Sequence, residues 1–105
     1  MVRFMRVIVF FDLPVETAAQ RRVYTKFRKF LLTNGFLMMQ ESVYVKLCLN
    51  NSGVESTALA LRKNKPRGGL VQLLTITERQ FAGMEYLVGE KQSEYLDSNE
   101  RLVIL

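Results

Sequence analysis

Val7-Ile8-Val9-Phe10-Phe11 is an unbroken apolar run that stops on Asp12, with Leu13-Pro14 directly behind it. Consecutive aromatic and β-branched residues predict a strand over about residues 4–11, buried on both faces. Pro14 fixes its own φ and biases Leu13 away from helical geometry, so a turn follows. Thr17-Ala18-Ala19-Gln20 then fits a capping box. Ala19, Val23, Phe27, Phe30 and Leu31 recur at helical spacing, which predicts a helix over about residues 16–33 with one apolar stripe. Asn34-Gly35 supplies its stop, because both residues tolerate left-handed backbone.

The period then changes from 3.6 to 2. Val43, Val45, Leu47 and Leu49 alternate with Tyr44, Lys46 and Cys48, as a half-buried strand requires. Phe36-Leu37-Met38-Met39 reads as a separate short strand, with Gln40-Glu41-Ser42 as turn or bulge. Asn51 or Ser52 is the expected cap of a second helix, with Glu55 completing Ser52-Gly53-Val54-Glu55. Val54, Ala58, Leu59 and Leu61 would be its buried face. Leu70 to Ile76 is a further strand, apolar enough to be central. Thr77-Glu78-Arg79-Gln80 can start one helical turn, and Met84 to Val88 reads as another strand, ended by Gly89. The order βαββαβ with a late strand is the α+β, ferredoxin-like arrangement. Residues 1–89 form that domain, and residues 90–105 form a tail ending in apolar Leu102-Val103-Ile104-Leu105, expected to pack on the sheet or on a partner subunit.

Charge changes this picture more than composition does. Residues 1–67 hold twelve Lys/Arg against four Asp/Glu, whereas residues 68–105 hold three against six. A basic half of this kind points to an anionic partner such as nucleic acid, or to helix faces that are merely solvated. Arg21, Arg22, Lys26 and Lys29 lie on the first helix, away from its apolar stripe. Arg62, Lys63, Lys65 and Arg67 fall in a loop ending in Gly68-Gly69, which is either a phosphate-gripping arm or a solvated connector. No apolar run approaches a membrane span and no cleavage site follows Arg3 and Arg6, so neither a signal peptide nor an anchor is expected. With Cys48 alone, no internal disulfide is available, and a cytoplasmic setting is the simplest expectation. Cys48 itself reads as a small packed hydrophobe.

The chain has no histidine and no nucleophile-elbow, phosphate-loop or dinucleotide fingerprint. Asp12 is left as the carboxylate best placed for chemistry, at the carboxyl end of a central strand where α/β folds commonly hold ligands. One carboxylate is few for a metal, but Mg2+ keeps several waters and uses one or two carboxylates plus substrate phosphates. A symmetric dimer would bring two copies of Asp12 together. The competing reading of Asp12 is an Asx-turn that holds backbone N–H groups before the helix. Phe11 and Tyr44 are either base-stacking platforms or core.

Phe10-Phe11-Asp12-Leu13-Pro14-Val15-Glu16-Thr17, Arg21-Arg22-Val23, Gly35 through Gln40-Glu41-Ser42-Val43-Tyr44, and Leu70 to Gly89 together resemble the CRISPR-associated protein 2 family, in the form found with type II systems. The resemblance implies a ferredoxin-like homodimer whose C-terminal strand packs on the other subunit. It also implies that Asp12 binds a divalent metal, Mg2+ or Mn2+, for endonucleolytic phosphodiester hydrolysis of DNA or single-stranded RNA, with Phe11 and Tyr44 in support. Arg22 matches a basic position of the family's first helix. Phe11 stands where many members carry Tyr, and Met38 near a position that is basic in some. The family's role is to scaffold the CRISPR integrase during spacer acquisition, holding double-stranded DNA on basic surfaces. A non-catalytic nucleic-acid-binding module is the alternative expectation.

Overall fold

The computed structural model describes residues 3–90. Its elements run β1 (Met5–Asp12), α1 (Ala18–Thr33), β2 (Leu37–Gln40), β3 (Val43–Cys48), α2 (Asn51–Asn64), β4 (Leu70–Thr77) and α3 (Glu78–Ala82). The strands form one sheet in the order β2-β3-β1-β4, and every neighbouring pair is antiparallel. This is the expected ferredoxin-like α+β architecture.

Alternation along β1 divides its side chains between two faces. Val7, Val9 and Phe11 enter a core with Phe27 and Leu31 of α1, Tyr44 and Cys48 of β3, and Leu61 of α2. Ile8 packs on the opposite face with Val45 and Phe81, beside Phe10, Leu37, Val43 and Ile76. The register places Asp12 across from Leu70, Phe10 across from Gln72, and Ile8 across from Leu74. Asp12 therefore shares the face of Ile8 and Phe10, away from α1 and α2.

Local chemistry sets the helix ends. The Thr17 hydroxyl accepts from the Gln20 N–H at 3.1 Å, and the Gln20 side chain accepts from the Thr17 N–H at 3.0 Å, completing the expected capping box. At the other end the Phe36 N–H donates to the Leu31 carbonyl at 3.0 Å and the Gly35 N–H to the Leu32 carbonyl at 3.3 Å. That is a Schellman motif, and it needs Gly35 at φ 88°. A bulge between Met38 and Gln40, with Ser42 at φ 63°, makes the β2–β3 turn.

Several expectations change. The cap of α2 is Asn50, whose side chain accepts from the Gly53 N–H at 2.8 Å, so Ser52 and Glu55 form no box. The buried stripe of α1 runs through Phe27 and Leu31 with Tyr24 and Phe30 alongside, leaving Ala19 and Val23 exposed. On α2, Leu59 is exposed while Thr57, Ala58 and Leu61 are buried. β4 is an edge strand among the described residues rather than a central one. Met84 to Val88 forms no strand; Leu87 and Val88 are almost fully exposed and pair with neither outer edge of the sheet, β2 or β4. The predicted tail strand at residues 102–105 lies outside the described residues.

Arg6 has a role the sequence did not disclose. It is 5% exposed. Its Nε and Nη2 donate to the two carboxylate oxygens of Glu78 at 2.5 and 2.8 Å, and its guanidinium lies 4.6 Å from the Phe81 ring centroid. A buried arginine needs such a forked partner, and the pair fastens α3 onto the sheet.

Candidate nucleic-acid interface and carboxylate site

The basic residues gather on the helical side of the sheet. Arg21, Arg22, Lys26 and Lys29 line one exposed face of α1 with Ala18 and Thr25, over a shallow depression of about 610 Å3. Helical spacing alone would align them. Arg21 is already engaged, because its Nη1 donates to the Val15 and Glu16 carbonyls at 3.1 and 2.9 Å and ties the approach segment to the helix.

Arg62 and Lys63 occupy the last turn of α2, where the helix dipole favours cations. Lys65 turns back, its Nζ donating to the Arg62 carbonyl at 3.3 Å. Lys65 and Arg67 also meet Lys26 across a groove of about 370 Å3, whose other lining residues are Val23, Phe27, Phe30, Asn64 and Pro66. The structure thus brings Lys26 of one predicted cluster to Lys65 and Arg67 of the other. Arg62 and Lys63 do not line that groove. They remain exposed beside it in sequence.

The loop's return to the sheet is tight. Gly69 has φ 77°, and a Cβ there would lie 2.7 Å from both the Asp12 carbonyl oxygen and Leu13 Cδ2. Only glycine allows the basic loop to close against the end of β1 in this way.

Asp12 opens onto the opposite face. It lines a pocket of about 200 Å3 with Phe10, Phe11, Ser42, Val43, Leu70 and Gln72. Ser42 is held in its left-handed conformation beside this pocket, its carbonyl accepting the Phe11 N–H at 3.0 Å. The Asp12 side chain is exposed, and its carboxylate has neither hydrogen bond nor ion pair among the described residues. The Asx-turn reading accordingly has no hydrogen bond to rest on. Glu16, one turn further along, does not line the pocket. Among the described residues no three His, Cys, Asp or Glu side chains cluster as metal ligands. One chain contributes one carboxylate with the neutral oxygens of Ser42 and Gln72 nearby. That donor set is at the lower limit for a largely hydrated Mg2+ or Mn2+, which takes one or two carboxylates together with substrate phosphates.

Phe11 and Tyr44 are corrected as stacking candidates. They are 5% and 0% exposed, and their rings stack on each other with centroids 5.6 Å apart. Phe27 and Tyr24 close around Phe11 edge-on. Neither aromatic can reach a base, and both pack in the core on the other side of β1 from Asp12. Cys48 is buried as expected, its Sγ 3.8 Å from Thr57 Oγ1. Sequence reasoning missed Ser42 and Gln72 as neighbours of Asp12. The only signal was the strand register: Gln72 lies opposite Phe10, two pairs in from Asp12 and on the same face.

Comparison with known proteins gives a consistent result. Residues 5–84 match the family described as CRISPR associated protein Cas2. A relative from Treponema denticola is 54% identical over 96% of this chain and 100% of its own length. One from Streptococcus mutans is 52% identical over 96% of this chain and 93% of its own. One from Ligilactobacillus salivarius is 46% identical over 96% and 100%. Each bears the name CRISPR-associated endoribonuclease Cas2. Among the described residues no helix is long and apolar enough to cross a membrane.

Proposed function

The chain belongs to the CRISPR associated protein Cas2 family, and from that premise we propose that it is a spacer-acquisition protein, a homodimer that holds double-stranded DNA and carries the CRISPR integrase. The observation that supports this reading best is the convergence of Lys26 with Lys65 and Arg67 in one groove, beside the exposed cations of α1. Cations spread over one convex side fit phosphate contacts, which position a duplex without reading its sequence. Arg67 is the one forked donor among the groove's lining residues, and no hydrogen bond or ion pair among the described residues holds it in place for reading bases.

The other face supports the homodimer. Leu70 and Leu74 are 53% and 48% exposed there, next to Phe10 and Asp12. An apolar sheet face with a lone carboxylate is covered economically by a second copy, since a two-fold axis makes one patch serve twice. In that arrangement two Asp12 carboxylates approach each other across the axis.

The test is duplex-DNA binding followed across a salt series. The triple variant Lys26→Gln, Lys65→Gln, Arg67→Gln should weaken binding at least tenfold and lower the slope of log K against log salt by about 3. Unchanged affinity and slope would remove the DNA-holding reading.

A second reading, metal-dependent endonuclease activity, is favoured by the unpartnered Asp12 carboxylate and by the endoribonuclease name of the relatives. A bound Mg2+ or Mn2+ would neutralise phosphate charge and activate water against a phosphodiester. The protein's own contribution is the paired Asp12 carboxylates as ligands, with Ser42 and Gln72 as neutral oxygen donors. Phe10, Val43 and Leu70 would exclude bulk water around them. Asp12→Asn should abolish cleavage of single-stranded RNA and duplex DNA in Mg2+ or Mn2+, matching wild type in EDTA, while DNA binding persists. Equal turnover in that variant would eliminate Asp12 as a ligand.

A further inference from the structure

The groove between α1 and the basic loop is more than a phosphate rail. Three cations, Lys26, Lys65 and Arg67, stand around a floor made of Val23, Phe27, Phe30 and Pro66. Val23 is 44% exposed, so its apolar side chain is open on the groove side of α1. Phe30 is half-buried, and part of its surface is in the groove. A duplex keeps its bases stacked inside and would offer this floor only charged phosphates and sugars. An unpaired nucleotide offers both chemistries at once: an apolar, stacking base and an anionic phosphate.

We infer that this groove is a subsite for one unpaired nucleotide, whose base lies on Val23, Phe30 and Pro66 while its phosphates meet Lys26, Lys65 and Arg67. The inference rests on the DNA-holding reading above and goes beyond it, because it says where a strand end or single-stranded flank departs from the duplex. A cavity of about 370 Å3 falls at the lower end of the ~300–1,000 Å3 span of small-molecule pockets. Cationic grooves with aromatic and apolar platforms are the recurrent solution for single strands, and the stacking part tolerates any base. Neither Lys26 nor Arg67 has an ion pair among the described residues, so both are available to phosphate.

The experiment compares four fluorescent probes on the full chain: a blunt DNA duplex, that duplex with a four-nucleotide 3′ overhang, a DNA single strand and an RNA single strand. Wild type should bind the overhang duplex about tenfold more tightly than the blunt one, within the range measured for stacking a base on an aromatic side chain. Val23→Ser, an exposed substitution, and Phe30→Leu, which keeps apolar volume but removes the ring, should each bring that ratio towards one. Both should leave blunt-duplex affinity within twofold of wild type. The two single strands separate the sources, the better-bound one identifying the sugar preferred in the subsite. A wild-type ratio of one with intact, salt-sensitive duplex binding would overturn the subsite while sparing the DNA-holding reading. Loss of all binding would overturn both. A ratio unaffected by Val23→Ser and Phe30→Leu, or displacement of the overhang by an acidic apolar peptide that leaves blunt duplex bound, would also overturn it, the latter assigning the groove to a protein partner.

Discussion

The two faces of the sheet are built from the same alternating strands, yet among the described residues one is covered and the other is not. On the helical side Val7, Val9, Leu31, Phe36 and Tyr44 are at most 1% exposed. The cations there lie on the outer surface of α1, at the end of α2 and in the loop after it, with Lys46 of β3 beside Phe36 and Leu61. On the opposite side Leu70 and Leu74 are about half exposed, and among the described residues Phe81 and Met84 reach across from beyond β4. The contrast separates residues that hold the fold from residues kept for something outside it. Asp12 belongs to the second group by position. It stands on a rigid strand whose other side is sealed, so its exposure costs the core nothing.

Substitutions can break this comparison if it is wrong. The largest effect is expected at the sealed face. Leu31→Ala removes a fully buried side chain and should lower the unfolding free energy by about 3 kcal/mol, read as a shifted midpoint in urea denaturation. A shift below 1 kcal/mol would mean that this face is less closely packed than described.

An intermediate effect is expected where the open face is fastened. Glu78→Ala leaves the Arg6 guanidinium buried without its forked partner and should cost about 2 kcal/mol, moderated by the partial exposure of Glu78. Near-neutrality in the same assay would show that Phe81 alone secures α3.

The smallest effect on folding, and the sharpest on assembly, is expected on the open face itself. Leu74→Thr keeps strand propensity and should change monomer stability by no more than about 0.5 kcal/mol. Sedimentation should nevertheless show self-association weakened at least tenfold. Full association in this variant would place the subunit contact elsewhere.

What could be read from the sequence was what neighbouring residues decide among themselves. Val7 to Phe11 declares β1, and Thr17 with Gln20 declares the start of α1, because each signal is complete within a few positions. The cap of α2 was misplaced because Asn50, Asn51 and Ser52 are all good caps, and the end of β3 decides among them. Val23 and Tyr24 both fit a helical stripe, and the choice falls to whichever side α1 turns towards Phe11. Met84 to Val88 has strand composition, but a strand also needs a paired neighbour, and composition does not say whether the chain will lay it against the free edge of β2 or β4.

The same limit applied to the site. Asp12 was legible from the end of its own strand. Arg6 and Glu78, or Lys26 with Lys65 and Arg67, are joined only by the fold. The groove became visible as one object once α1 and the loop after α2 lay side by side.

The register of β1 also has a consequence for biosynthesis. The first strand made is flanked in the finished sheet by β3 and by β4, with Asp12 opposite Leu70 and Met5 opposite Thr77. Translation proceeds at about 5–20 residues per second, so Val7 to Phe11 waits several seconds for its last neighbour to leave the ribosome. A β-prone, uncharged segment exposed for that long is open to adventitious pairing between nascent chains. The cations of α1 are the next part to emerge, and like charge so near the strand opposes close pairing of two such chains, within a Debye length of about 8 Å, until the hairpin of β2 and β3 arrives.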